Sequence, residues 1–351
     1  MYIRSEDIKV DMIQYLDKDG NVVKSFDDIQ SEELLEMYQW MIDTRVFDNR
    51  AMKYQRQGRI GTYAPFRGQE AAQIGSAFAL RGQDWIYPSY REAAASLVRG
   101  MDMSQFFLYA MGHVKGLSQK DVNIFPVQII IAAQCLHAVG GAWASKYKKL
   151  DEVSVAYVGD GGTSEGDFHE ALNFAGVYKL PVIFFVQNNQ WAISVPISKQ
   201  TASKSIAQKA LAYGIDGVQV DGNDVIAVNK VMQDAIEHAR NGKPILIEAI
   251  TFRQGPHTTA DDEKKYRSRE EENKWLERDP IKRMKALLIN KGLLDEELDE
   301  KMHEEAEKKV TEAFEIAVNT SPTTMQDILN NVYQEKTPQL IDQFNSLEGK
   351  K

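Results

Sequence analysis

One segment of this chain spaces a carboxylate, a carboxamide and several glycines so that together they could hold a cation against an anion. Asp160 stands in Gly159-Asp160-Gly161-Gly162, and Asn189 closes the pair Asn188-Asn189, 189 − 160 = 29 positions later. An apolar run at 153–158 precedes the glycines, and a second at 182–186 precedes the asparagines. A helix-length stretch lies between them. Right-handed strand–helix–strand units return both strands to one edge of a parallel sheet, so the spacing predicts that Asp160 and Asn189 converge. A carboxylate and an amide oxygen suit a hard cation such as Mg2+, which completes its octahedron with phosphate oxygens, a backbone carbonyl and water. Glycines let a backbone approach a phosphate closely, and a helix start offers N–H donors without partners. The same segment is also compatible with a generic doubly wound sheet that carries a glycine turn.

The elements around this segment must place it. From residue 153 strand and helix alternate, with further strands expected at 217–220 and 244–250. That alternation predicts an α/β fold, a parallel sheet with helices on both faces. Upstream, Ser31 is expected to cap a helix whose first turn carries Glu32 and Glu33. Leu34, Leu35, Tyr38, Met41, Ile42 and Val46 give that helix one apolar face. Alanine-rich stretches at 69–80 and 92–99 read as helices, and 84–91 between them as a short strand and a turn. Residues 1–30 are polar and read as an arm or peripheral hairpin, turning at Asp19-Gly20-Asn21. Residues 31–267 form the α/β domain. Residues 268–351 read as a charged helical extension packed on it, with a helix starting at Asp279-Pro280, helices to about Glu335 and a frayed end. The loop 254–267 is long, polar and aperiodic, as functional or mobile loops are.

Bulk composition narrows the classes. The chain has 351 residues, 43% hydrophobic and 26% charged, which is ordinary for a soluble globular protein. Acidic side chains outnumber basic ones 51 to 42, and the net charge of −9 argues against nucleic acid as the main partner. The single cysteine, Cys135, excludes an intrachain disulfide and fits a reducing, cytoplasmic setting, as a buried thiol rather than a nucleophile. Residues 1–7 show no basic start before an apolar run, and no apolar run is long enough to span a membrane.

Several segments then match one family together: Tyr63-Ala64-Pro65 with Gly68-Gln69-Glu70, Tyr87-Pro88-Ser89-Tyr90-Arg91, Gln128-Ile129-Ile130-Ile131, the stretch 159–194, and Arg253 to His257 with Tyr266-Arg267. From about residue 30 to 340 the chain resembles the alpha subunits of the decarboxylating first component of 2-oxo acid dehydrogenase complexes. The pyruvate-specific members of Gram-positive bacteria are the nearest in pattern. The resemblance implies the thiamine-diphosphate-binding fold, with thiamine diphosphate and Mg2+ as cofactors. It implies oxidative decarboxylation of pyruvate with reductive acetylation of a lipoyl group.

Residue by residue, the resemblance implies Asp160, Asn189 and the Trp191 carbonyl as Mg2+ ligands. It implies Gly159, Gly161 and Gly162 at the diphosphate, Tyr90 and Arg91 as diphosphate donors, and a fork of N–H groups suits Arg91 to that task. Ile129 and Ile131 match positions that touch the aminopyrimidine, although propensity allows ordinary core there equally. His257 matches the loop histidine near the reacting centre, whereas a lone loop histidine is usually solvated. His113 stays outside the site, His169 reads as structural and His137 as core. The carboxylate that this family sets against the pyrimidine belongs to a second domain of the same fold, and this chain carries one such domain. A beta subunit is therefore implied, in an α2β2 assembly docked on a lipoyl acyltransferase core. Lys115 and Ala64 stand where members carry histidine, and Gln254 where tyrosine is common. These departures leave open a branched-chain 2-oxo acid or acetoin enzyme, or a non-catalytic partner subunit. A nucleotide-phosphate-binding regulator is the alternative from a different class.

Overall fold

The computed structural model describes residues 8–117, 121–127 and 129–348. The N-terminal segment 1–7, Gln128 and the last three residues, each part of an expectation above, lie outside the described residues.

Six strands pair in parallel into one sheet: β1 (Met12–Ile13), β2 (Trp85–Tyr87), β3 (Ser154–Gly159), β4 (Val182–Asn188), β7 (Asp216–Asp221) and β8 (Ile245–Ile250), with β5 (Trp191–Ala192) and β6 (Val195–Pro196) forming a separate antiparallel hairpin. The sheet order is β1-β7-β8-β4-β3-β2. The inner strands are apolar without alternation because both of their faces are covered. Ala156 and Val158 of β3 point into one core and Val155 and Tyr157 into the other.

Helices clothe both faces: α1 (Ser31–Arg56), α2 (Glu70–Phe78), α3 (Ala93–Val98), α4 (Met103–Ala110), α5 (Ala133–Lys148), α6 (Gly166–Tyr178), α7 (Ile197–Gln200) and α8 (Val225–Arg240). The C-terminal extension adds α9 (Arg269–Leu276), α10 (Pro280–Asn290), α11 (Glu296–Asn319), α12 (Met325–Asn330) and α13 (Pro338–Glu348). Helices α5 and α6 cover the smaller core, and α1, α2, α8, α10 and α11 the larger. The expected parallel sheet with helices on both faces is the fold observed.

Some local expectations differ from the structure. Gln30, not Ser31, is the residue before α1, and its backbone N–H donates to Glu33 Oε2 at 2.9 Å. The N-terminal arm does turn at 17–21, yet its Met12–Ile13 joins the sheet as a parallel edge strand beside β7. Gly20 serves that turn at φ +82, where a Cβ would stand 2.6 Å from the Arg283 carbonyl oxygen. His137 is not core: it lies on the exposed face of α5, with its ring 5.0 Å from that of Phe125. Its neighbour Cys135 is buried, as expected. The C-terminal end does not fray after Glu335, because 338–348 form α13. Among the described residues no helix is long and apolar enough to cross a membrane.

Candidate functional site

The carboxyl edge of the sheet supplies the polar walls of the site. In the β3–β4 register Gly159 pairs with Gln187, so the chain leaves both strands side by side. After β3 it enters a tight turn, Asp160–Ser164, before α6 begins. Asp160 is buried on the site floor. Its Oδ1 accepts from the Asn189 backbone N–H at 3.3 Å, and its Oδ2 from Gln200 Nε2 at 2.8 Å. Burial raises the Asp160 carboxyl above its ordinary range, against the lowering effect of those donors. Asn189 donates through Nδ2 to Gln69 Oε1 at 3.3 Å, while its Oδ1 accepts from the Trp191 backbone N–H at 3.3 Å. The sequence expectation that Asp160 and Asn189 meet is therefore realised.

The glycines are steric requirements. A Cβ on Gly161 would lie 2.7 Å from the Ala192 side chain, and one on Gly162 would lie 2.5 Å from Val158 Cγ2. Gly159 faces open space instead, with nothing within 4 Å of such a Cβ.

Cations line the rim. Arg91, beyond β2, is buried; its Nη1 donates to the Pro65 carbonyl, and its Nη2 donates to the His257 carbonyl at 2.9 Å and meets His257 Nδ1 at 3.0 Å. Arg253, beyond β8, donates to the Trp191 carbonyl at 3.1 Å, the Ile193 carbonyl at 2.8 Å and Tyr266 Oη at 2.9 Å. It also reaches His257 Nδ1 at 3.4 Å. Tyr90 stands edge-on to the His257 ring, 6.0 Å away. Burial, then Arg91 and Arg253, push the His257 imidazole down to about 4. Two guanidinium groups facing Nδ1 make it the acceptor, so the neutral ring carries its proton on Nε2. Burial and Arg91 also push Arg253 down to about 10.

The loop 254–267 is braced rather than open. The backbone N–H of His257 donates to Asp261 Oδ2 at 2.7 Å, and Tyr266 Oη donates to the same oxygen. Arg267 is buried and donates to the carbonyls of Arg253 at 2.5 Å and Gly255 at 2.9 Å, and to Glu272 Oε1 at 2.9 Å.

These walls enclose a cavity of about 560 Å3. Tyr90, Arg91, Ile129, Ile131, Gly159, Asp160, Gly161, Gly162, Asn189, Trp191 and His257 all line it. Ile129 and Ile131 are 67% and 39% exposed, which rules out the ordinary-core reading. Its apolar end is formed by Phe47, Ile60, Tyr63, Phe106, Phe107 and Tyr109. Ala64 lines it too, whereas Lys115 is exposed outside it. His113 Nε2 donates to the Ser321 carbonyl at 2.8 Å, and His169 Nδ1 pairs with Tyr213 Oη at 2.6 Å, so neither belongs to the site.

Sequence reasoning gave no role to Arg253, Glu92, Gln69 or Gln200. Glu92 is buried in the cavity wall, accepts from Gln187 Nε2 at 2.7 Å, and is pushed up to about 7 by that burial. The signs available for Arg253 were its place just after an apolar strand and at the head of a family-matched segment. Gln69 stood in a family-matched segment without a role of its own, and Gln200 carried no sign.

Among the described residues no cluster of three His, Cys, Asp or Glu side chains could hold a metal. The oxygens offered here are one carboxylate, one amide and one backbone carbonyl. That set fits a hard cation, provided an anion supplies further oxygens. The glycine turn and the Arg91 guanidinium that lines the same cavity fit that anion as a phosphate.

Comparison with known proteins agrees with this geometry. Residues 38–326 match the family model described as the dehydrogenase E1 component. A protein of Acholeplasma laidlawii named pyruvate dehydrogenase E1 component subunit alpha is 45% identical over 345 residues, 95% of this chain and 100% of that protein. Its namesake in Staphylococcus aureus strain Mu50 is 42% identical over 347 residues, 97% of this chain and 94% of that protein. The Staphylococcus epidermidis RP62A namesake is 41% identical over the same length.

Proposed function

This chain belongs to the dehydrogenase E1 component family, and on that premise we propose that it is the alpha subunit of a pyruvate dehydrogenase, a 2-oxo acid dehydrogenase that binds thiamine diphosphate through Mg2+. The observation that carries the cofactor reading is the meeting of Asp160 and Asn189 in one cavity with Arg91 and His257. Thiamine diphosphate, when bound, supplies the carbanion chemistry that decarboxylates a 2-oxo acid and passes the acyl group to a lipoyl carrier.

The residues of this chain hold and orient. Asp160, Asn189 Oδ1 and the Trp191 carbonyl would ligate the cation. Gly159, Gly161 and Gly162, with Tyr90 and Arg91 lining the same cavity, would hold the diphosphate. Arg253 fixes the Trp191 carbonyl from behind at 3.1 Å. His257 stays neutral at physiological pH and keeps its Nε2 proton to donate. A donor of that kind favours negative charge developing on a substrate oxygen. Ile129 and Ile131 lie at the exposed lip, where a second chain would close the cavity over the pyrimidine end.

We infer a beta subunit as that second chain, in an α2β2 assembly that delivers its product to a lipoyl acyltransferase core. Nearly full-length similarity to proteins named subunit alpha supports this. Co-expression with a beta-type subunit should yield a complex that decarboxylates pyruvate in preference to larger 2-oxo acids, while the chain alone should be essentially inactive. Robust turnover by the purified chain alone would refute the divided site, and preference for a branched-chain acid would refute the substrate.

A further inference from the structure

The cation's ligands are themselves held, by two glutamines from distant parts of the chain. We propose that Gln69 and Gln200 are positioning residues of the metal site, with Gln200 also receiving a hydrogen bond from the cation's hydration water. The inference rests on the metal reading above.

Gln200 ends the short α7 and binds two things at once. Its Nε2 donates to Asp160 Oδ2 at 2.8 Å and to the Val195 carbonyl at 3.2 Å, tying the β5–β6 hairpin to the turn after β3. One Asp160 oxygen is thereby fixed in place. The other end of the same amide is different: Gln200 Oε1 is buried and has no hydrogen-bond partner among the described residues. Leaving a buried acceptor unpaired is unfavourable, so such an atom calls for an explanation. It stands beside the diphosphate turn, since a Cβ on Gly161 would lie 3.8 Å from it. A bare cation cannot donate to it. The waters that Mg2+ retains can, because coordinated Mg2+ gives up its hydration reluctantly.

Gln69 does the corresponding work for Asn189. It is fully buried in the cavity wall, immediately before α2. Its Oε1 accepts from Asn189 Nδ2 at 3.3 Å. A carboxamide presents an oxygen and a nitrogen of nearly equal shape, and only the oxygen ligates a cation. With Nδ2 committed to Gln69, Oδ1 is the atom left on the site side. Partners that orient ligands in this way typically change metal affinity by about 10–100-fold when removed.

The test uses the full-length chain assembled with its beta-type subunit, with Mn2+ as the spectroscopic probe and thiamine diphosphate present. Gln69→Met and Gln200→Met keep side-chain length but remove the polar atoms. Electron paramagnetic resonance titration should show Mn2+ affinity reduced about tenfold or more in each. Thiamine diphosphate affinity should return to the wild-type value once Mn2+ is saturating. Gln69→Glu, which keeps an acceptor for Asn189 Nδ2, should recover most of the loss. Broadening of the Mn2+ signal by 17O-labelled water should change in Gln200→Met and not in Gln69→Met. Metal-free melting temperatures separate these effects from unfolding; if Gln200→Met does not fold, Gln200→Asn shortens the reach and carries the same expectation.

Unchanged Mn2+ affinity in the methionine variants, with Asp160→Ala abolishing it, would overturn this inference and leave the metal reading standing. Metal-independent cofactor binding in the wild type would overturn both. Cofactor affinity that stays low at saturating Mn2+ would make the glutamines general scaffold and overturn the positioning role.

Discussion

His257 and Glu92 lie on opposite sides of the ordinary protonation balance, and stability should record each with the opposite sign. His257 is held near 4, below the ordinary 6.5, so the unfolded chain takes up its proton first as pH falls. Its contribution is full above 6.5 and is lost as pH falls toward 4. Urea denaturation at pH 7 and pH 5 should therefore show a smaller loss for His257→Gln than for the wild type. Glu92 is raised from 4.5 to about 7, so the unfolded chain releases its proton first as pH rises. Its contribution is full below 4.5 and is lost as pH rises through 7. Glu92→Gln should stabilise the protein by about 1–3 kcal/mol at pH 8 and by little at pH 5. Equal gains at both pH values would mean that Glu92 is already ionised at low pH. At this scale the sequence was legible where spacing encodes geometry. Asp160 and Asn189 were found because a strand–helix–strand unit dictates where its ends go. Arg253 and Glu92 were not, because their chemistry comes from burial beside partners 13 and 95 positions away, Tyr266 and Gln187.

Elements were legible in proportion to their length and apolar content. The inner strands β3, β4 and β8 were found within a residue or two of their ends because both faces are buried. Strand β1 was not, because two edge residues carry no period and gain their place from pairing with β7. The loop after β8 reads as an open tether by composition, yet its charged residues satisfy one another. Composition alone cannot distinguish a solvated arginine from one that ties a loop to its own backbone. Two lysines, Lys264 and Lys265, remain exposed there, whereas Arg267 is buried. Trypsin should cut the folded chain after Lys264 or Lys265 and spare Arg267. Arg267→Ala removes the donors to Arg253, Gly255 and Glu272 and should raise the open population of the loop. A loss of roughly 1–3 kcal/mol corresponds to about 5–150-fold faster cleavage at the lysines. Mass spectrometry of the first fragments decides it: early cleavage after Arg267 in the wild type would show that the brace does not hold.

For the molecule as a whole, the alternation of strand and helix was enough to give the architecture, and the reason is physical. A parallel sheet needs crossovers, crossovers are helices, and both leave patterns in sequence. What sequence could not express is the division of labour between the sheet's two edges. The carboxyl edge holds the cavity. The other edge carries Arg240, which grips Asp84 at 2.7 Å and Asp151 at 2.5 Å, with Arg81 reaching Asp151 at 3.3 Å and Glu237 at 2.9 Å. The 7 residues of β4 set roughly 23 Å between these edges, at about 3.3 Å per residue. For a protein engineer this makes the chain a platform with a working side and a handling side. The turn at Asn241-Gly242, where Gly242 already adopts φ +73, is the place to graft a tag, a fluorophore or a surface tether. An attachment there would leave the mouth of the cavity facing away from its support.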